Sequence, residues 1–260
     1  MAEISKAKHA FNERFYRFDE DLELVDYLSN QIRSGVLSPK ESLFTGDISK
    51  YERLTKRSQN TTPNAFKKNR EALSTHLKKT LYSSYIKDSY EEVTDYIKVI
   101  LGNAAVSKTV DVKKFIGNHS KISLSGAEIL ELGDFTKLTH SLIDKIFQSL
   151  EGERSTLNLV KAVCDKLGFK KNTDLITKNV QYLNIRHYLV HSNGVLPAEF
   201  LQEARENGVN IQCDNKKCLK LNYDFIREFR SAVSSLIEYI DSEIIKGNFL
   251  EKKFIHKSPK

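Results

Sequence analysis

The feature that most constrains the fold is an apolar stripe near the C-terminus. Phe225, Phe229, Val233, Leu236, Ile240 and Ile244 recur every three or four residues between Asn222 and Gly247. This spacing puts all six on one face of an α-helix, and that face needs other elements to cover it. Asn222 offers a side-chain acceptor to the first free amides and Gly247 a C-terminal stop, so a closing helix is expected between them.

The same period recurs along the chain. Phe11, Phe18, Val25 and Ile32 stand seven residues apart, with Phe15 and Leu22 interleaved, and predict one helix over about 3–34 ending at Gly35. Its seam suits a coiled-coil dimer or, more commonly, packing onto its own domain. Thr62-Pro63 has the form of a helix cap and first position. From Leu81, Tyr85, Val93, Ile97 and Ile100 keep a helical rhythm up to Gly102. Ile129, Leu132, Leu138, Leu142, Ile146 and Leu150 predict a helix over about 124–150, and another is expected over about 155–168, ending at Gly168.

A single β element interrupts this pattern. Val209, Ile211 and Cys213 alternate, as do Leu219 and Leu221, so a hairpin is expected to pair Ile211 with Leu219 and Val209 with Leu221 around Asp214-Asn215-Lys216. The expected class is mainly α: a helical bundle with one short β-hairpin and an N-terminal helical arm. The polar stretch from Gly35 to Thr62 divides it into an arm and linker, 1–61, and a main domain, 62–250, followed by a basic, mobile tail, 251–260.

The 260 residues are 40% apolar, enough for a sizeable core, and the net charge of +7 gives weak support to a polyanionic partner. No apolar run approaches the roughly 18 to 20 residues of a membrane span. The polar N-terminus, with Lys6, Lys8 and His9, lacks a signal-peptide core, so a cytoplasmic protein with no membrane partner is expected. Cys164, Cys213 and Cys218 are too few for a disulfide scaffold and are expected to be reduced. The hairpin register turns Cys213 and Cys218 to opposite faces, which argues against a disulfide or shared metal ion.

The chemistry-bearing segment runs from Asn172 to Gly194. Ile176, Val180, Leu183 and Val190 form an apolar stripe, and at about 100° per residue His187 falls within it, while Arg186 and His191 lie about 140° apart on its opposite edges. Each polar residue has a plain structural explanation: a packed arginine stem with its charge in solvent, a hydrogen-bonded core histidine, and a histidine beside a helix C-terminus. Their coincidence at one helix end, just before Gly194, favours a site. Arg186 and His191, too far apart to meet over one helix, would converge with their mates across a two-fold dimer.

Arg186-His187-Tyr188-Leu189-Val190-His191, followed by Ser192-Asn193-Gly194, resembles the HEPN superfamily, whose mark is an arginine, often a polar neighbour, and a histidine after four to six intervening positions. The likeness covers about nine residues of motif and, in architecture, roughly residues 62–247. It implies an HEPN-like bundle and a metal-independent endoribonuclease working as a homodimer in antiphage defence or as a growth-arresting toxin, with RNA as substrate and an antitoxin or regulatory partner. By this likeness His191 moves a proton in attack of the ribose 2′-OH on the adjacent phosphate, and Arg186 stabilises charge on phosphorus. His187 would orient His191 or bind RNA, and Glu91 or Asp95 from an earlier helix would enter the site. No cofactor or metal is expected. The tyrosine found two positions after the motif histidine in the nucleotidylated toxin subgroup is replaced here by Asn193. Basic clusters at Lys67, Lys68 and Arg70, at Lys78 and Lys79, and at Lys252, Lys253 and Lys257 are candidates to guide an RNA backbone. The competing expectation is a non-catalytic module of the same kind that binds RNA, nucleotide or a protein partner.

Overall fold

The computed structural model describes residues 3–36, 49–51, 53, 63–107, 123–151, 156–168 and 171–257. The α-helices named among them are α1 (Lys6–Ser34), α2 (Pro63–Val106), α3 (Gly126–Leu132), α4 (Phe135–Glu151), α5 (Thr156–Leu167), α6 (Thr173–His191), α7 (Ala198–Glu206) and α8 (Tyr223–Lys246). Two short strands, β1 (Glu3–Ser5) and β2 (Ile255–Lys257), pair antiparallel. The fold is mainly α, as the helical periods require.

The axis of the bundle is α2, which touches α1, α4, α5, α6 and α8. No proline or glycine interrupts it between Pro63 and Gly102, so nothing in the sequence breaks its hydrogen-bond ladder. Gly102 was expected to end the helix, yet the helix continues to Val106. A Cβ at Gly102 would lie 2.6 Å from two atoms of the His140 imidazole, so the missing side chain admits a ring from α4. Thr62, the expected cap, and most of the expected linker lie outside the described residues.

The seam of α1 is packed within the chain. Phe11, Phe15 and Leu22 belong to the same apolar core as Tyr96 and Ile97 of α2 and Phe229 and Ile240 of α8. Ser5 caps α1 through its hydroxyl, and Gly35 closes it with φ of 80°. All six stripe residues of α8 are buried, and the Asn222 side chain accepts from the Phe225 amide as expected.

The helix expected over 124–150 is two helices. Gly133 adopts φ of 60° and ends α3. The Asp134 carboxylate then accepts from the Thr136 and Lys137 amides and starts α4. The apolar stripe is correspondingly shorter: Ile143, Ile146 and Phe147 are buried, whereas Ile129 is exposed and the Leu150 side chain lies outside the described residues.

Two expectations about β structure change. The basic tail is ordered as far as residue 257: Lys252–Phe254 form a 3-10 turn, and β2 pairs with β1 so that Ile4 faces His256. Backbone pairing and the packing of Ile255 against the core outweigh the tail's charge. The segment 209–221 forms isolated bridges rather than a hairpin: Cys218 pairs with Val195, and Cys213 pairs with Leu219, with Lys220 N–H donating to the Gln212 carbonyl. This register is slipped by two residues from the expected one, which preserves the faces, because side chains alternate with period two. The slip follows from Asp214, whose carboxylate accepts from the Lys216 and Cys218 amides and moves the turn to Asn215-Lys216-Lys217.

Candidate active site at the end of α6

α6 starts where the Asn172 side chain accepts from the Leu175 amide. Ile176, Val180 and Leu183 anchor it in the core, with Ile185 and Leu189 buried beside them. Toward the end of the helix the buried face turns away from the stripe to Ile185 and Leu189. Val190 is 42% exposed and His187 is exposed, which corrects the placement of both on the core face. Leu189 keeps the last turn in the core and Tyr188 packs on α7, while His187 and Val190 lie on the side that faces solvent.

Beyond His191 the chain is held tightly. Ser192 and Gly194 both donate to the Tyr188 carbonyl, with Asn193 at φ of 50° and Gly194 at φ of 82°. Leu196 N–H donates to the Lys217 carbonyl and Leu219 N–H to the Gly194 carbonyl, which ties the motif loop to the turn at 214–218. His191 is thus an exposed side chain on a fixed backbone.

The structure brings His187 and His191 together. One helical turn apart, their rings have centroids 4.8 Å from each other, and the Tyr188 ring meets His187 edge-on at 5.3 Å. Tyr188 in turn packs on Phe200 of α7 at 4.7 Å; burial, with Glu203 and Glu199 nearby, holds its phenol above the usual value. The imidazole pair therefore stands on a packed aromatic base.

Arg186 has a different environment. Its guanidinium carbon lies 5.1 Å from the centroid of the Tyr90 ring on α2. It is half-buried, its Nε is buried without a hydrogen-bond partner, and it makes no ion pair among the described residues. A buried unpaired donor costs about 1–3 kcal/mol, and the Nη groups, which are not so enclosed and have no hydrogen-bond partner among the described residues, are left to hold an anion.

Glu91 is exposed, and about 100° around α2 from Tyr90. The α2 contact of Arg186 is thus the aromatic neighbour of the expected carboxylate. In the sequence the one signal of Tyr90 is its place as an aromatic residue beside Glu91. Asp95 lines a separate cleft of about 550 Å³ between α1, α2 and α4, with Arg14, Lys98, His140 and Asp144. Two of the basic clusters are partly neutralised, Lys78 by Asp26 and Lys253 by Glu251. Lys67 and Lys68 are exposed.

Among the described residues no group of three or more His, Cys, Asp or Glu side chains is arranged to hold a metal ion, and no helix is long and apolar enough to cross a membrane. All three cysteines are free thiols. Comparison of the chain with family models, with curated proteins and with solved structures gives no match in any of the three.

Proposed function

We propose that the chain is an endoribonuclease of the HEPN kind, cutting RNA by 2′-OH attack without a metal ion. The observation that carries this is a half-buried arginine, set over the Tyr90 ring with no ion pair among the described residues, at the same helix end as a pair of exposed imidazoles. Arg186 takes a phosphate oxygen and stabilises the charge that builds on phosphorus. His191 removes the proton of the 2′-OH as that oxygen bonds to phosphorus. The bond from phosphorus to the 5′-oxygen breaks, and that oxygen receives a proton from the paired His187, leaving a 2′,3′-cyclic phosphate and a 5′-hydroxyl. A reaction that uses the 2′-OH restricts the substrate to RNA.

The active form is a homodimer. Val190 and Val195, 42% and 40% exposed, stand on either side of His191 in the sequence and offer apolar surface for a second copy, which would bring two Arg186/His191 sets into one cleft. The role is antiphage defence or growth arrest, restrained by an antitoxin or regulatory partner. Wild type, Arg186→Ala and His191→Ala are compared on total RNA in chelator, with growth followed on expression. Wild type is expected to cut and arrest growth, and each variant to lose at least about a hundredfold in rate. Three equally inactive proteins that still bind RNA would instead support a non-catalytic binding module.

A further inference from the structure

We propose that Tyr90 is a positioning residue for Arg186, whose ring fixes the plane of the guanidinium so that its Nη edge is presented to the phosphodiester. The proposal rests on the endoribonuclease reading of the site and adds a residue that the motif does not contain. A carboxylate in this place would neutralise Arg186 and occupy its in-plane donors. An aromatic face holds the cation from below and leaves those donors free for phosphate oxygens. The geometry is of that kind: the guanidinium carbon is 5.1 Å from the Tyr90 centroid, and Arg186 has no ion pair among the described residues. The platform is rigid, because Tyr90 is half-buried on α2 between the buried Ser89 and Val93. The Tyr90 hydroxyl makes no hydrogen bond among the described residues, so the ring face is the working part.

The test uses the full chain as wild type, Tyr90→Phe, Tyr90→Leu, Arg186→Ala and the Tyr90→Leu/Arg186→Ala double variant. Tyr90→Phe keeps the ring and is expected to cut RNA within about twofold of wild type. Tyr90→Leu is expected to lower kcat roughly ten- to a hundredfold with KM changed less than about threefold, because misplaced transition-state contacts act on kcat. In the Arg186→Ala background the same change should have no further effect. Arg186 side-chain NMR signals should carry an upfield ring-current shift in wild type and Tyr90→Phe that disappears in Tyr90→Leu. Additive losses in the double variant, or equal losses in Tyr90→Phe and Tyr90→Leu, overturn the proposal. If wild type cuts no RNA, the endoribonuclease reading fails separately, and inorganic phosphate decides the role of Tyr90. Binding weakened about tenfold by Tyr90→Leu but not by Tyr90→Phe then supports positioning. Unchanged binding, or none by wild type, overturns it.

Discussion

At the scale of single residues, the contrast between Cys164 and Arg186 shows how burial separates inert groups from candidate functional ones. Burial pushes the Cys164 thiol up to about 12, with Asp165 adding to it, which removes the thiolate needed for reaction. Native protein treated with maleimide at pH 7.5 should therefore leave Cys164 unmodified while denatured protein takes up the label there; labelling of Cys164 at the same rate in both states would contradict its burial. Gly194 illustrates a backbone demand instead. Its φ of 82° closes the turn after His191, and Gly194→Ala is expected to cost about 1–2 kcal/mol in equilibrium unfolding. A neutral result would show that the turn relaxes freely. Arg186, His187 and His191 were all legible as one motif, but their surroundings were not. A helical wheel assumes neighbours along the whole helix, and the last turn of α6 has none over His187 and Val190. Tyr90 was hidden for a related reason, because its contact with Arg186 joins residues distant in sequence.

At the scale of elements, the join between α1 and α2 depends on a small polar clamp. The Asp26 carboxylate accepts from Tyr82 at 2.7 Å and Asn30 at 3.0 Å and pairs with Lys78 at 2.7 Å. Burial alone would raise the Asp26 carboxyl, but the hydrogen bonds from Lys78 and Tyr82 and the Lys78 charge outweigh it and hold it below its ordinary 3.8. A carboxyl lowered on folding contributes stability above its unfolded value, and that contribution is lost as pH falls through the folded value. Asp26→Asn should therefore destabilise the protein more at pH 7 than at an acid pH well below 3.8. Equal destabilisation at both pH values in denaturant titrations would refute the clamp. Helix ends were readable where capping chemistry was local, as at Asn222, Gly35 and Gly168. The break at Gly133 is masked in the sequence because Ile129 and Leu132 continue the apolar period, although Ile129 lies exposed. The end assigned to Gly102 was wrong because that glycine serves a tertiary contact with His140.

At the scale of the whole molecule, the two ends of the described chain are fastened to α8 and to each other. The buried Asp241 carboxylate accepts from the Ser5 amide at 3.2 Å, the Ser5 hydroxyl and the Tyr96 hydroxyl at 3.1 Å. His9 and His256 stack with centroids 3.9 Å apart. Replacing Asp241 with alanine strands buried donors and is expected to cost about 3 kcal/mol and to strip hydrogen-exchange protection from β1 and β2. A loss under about 1 kcal/mol would mean that the termini are held by apolar packing alone. This closure was invisible in the sequence: strands of three residues carry almost no period, and Ser5 and Asp241 are joined only by the fold. The class and most helices were visible because each depended on repetition over several turns.

Cleavage through the 2′-OH by Arg186, His187 and His191 is decided on an RNA oligonucleotide mapped for its cut position. A matched oligonucleotide carries one 2′-deoxy residue immediately 5′ to that cut. Wild type is predicted to cut the first to a 2′,3′-cyclic phosphate and a 5′-hydroxyl and to leave the deoxy position intact, and Arg186→Ala and His191→Ala are each predicted to lose the cleavage. Undiminished cutting at the deoxy position, or cutting that survives both substitutions, would contradict the account.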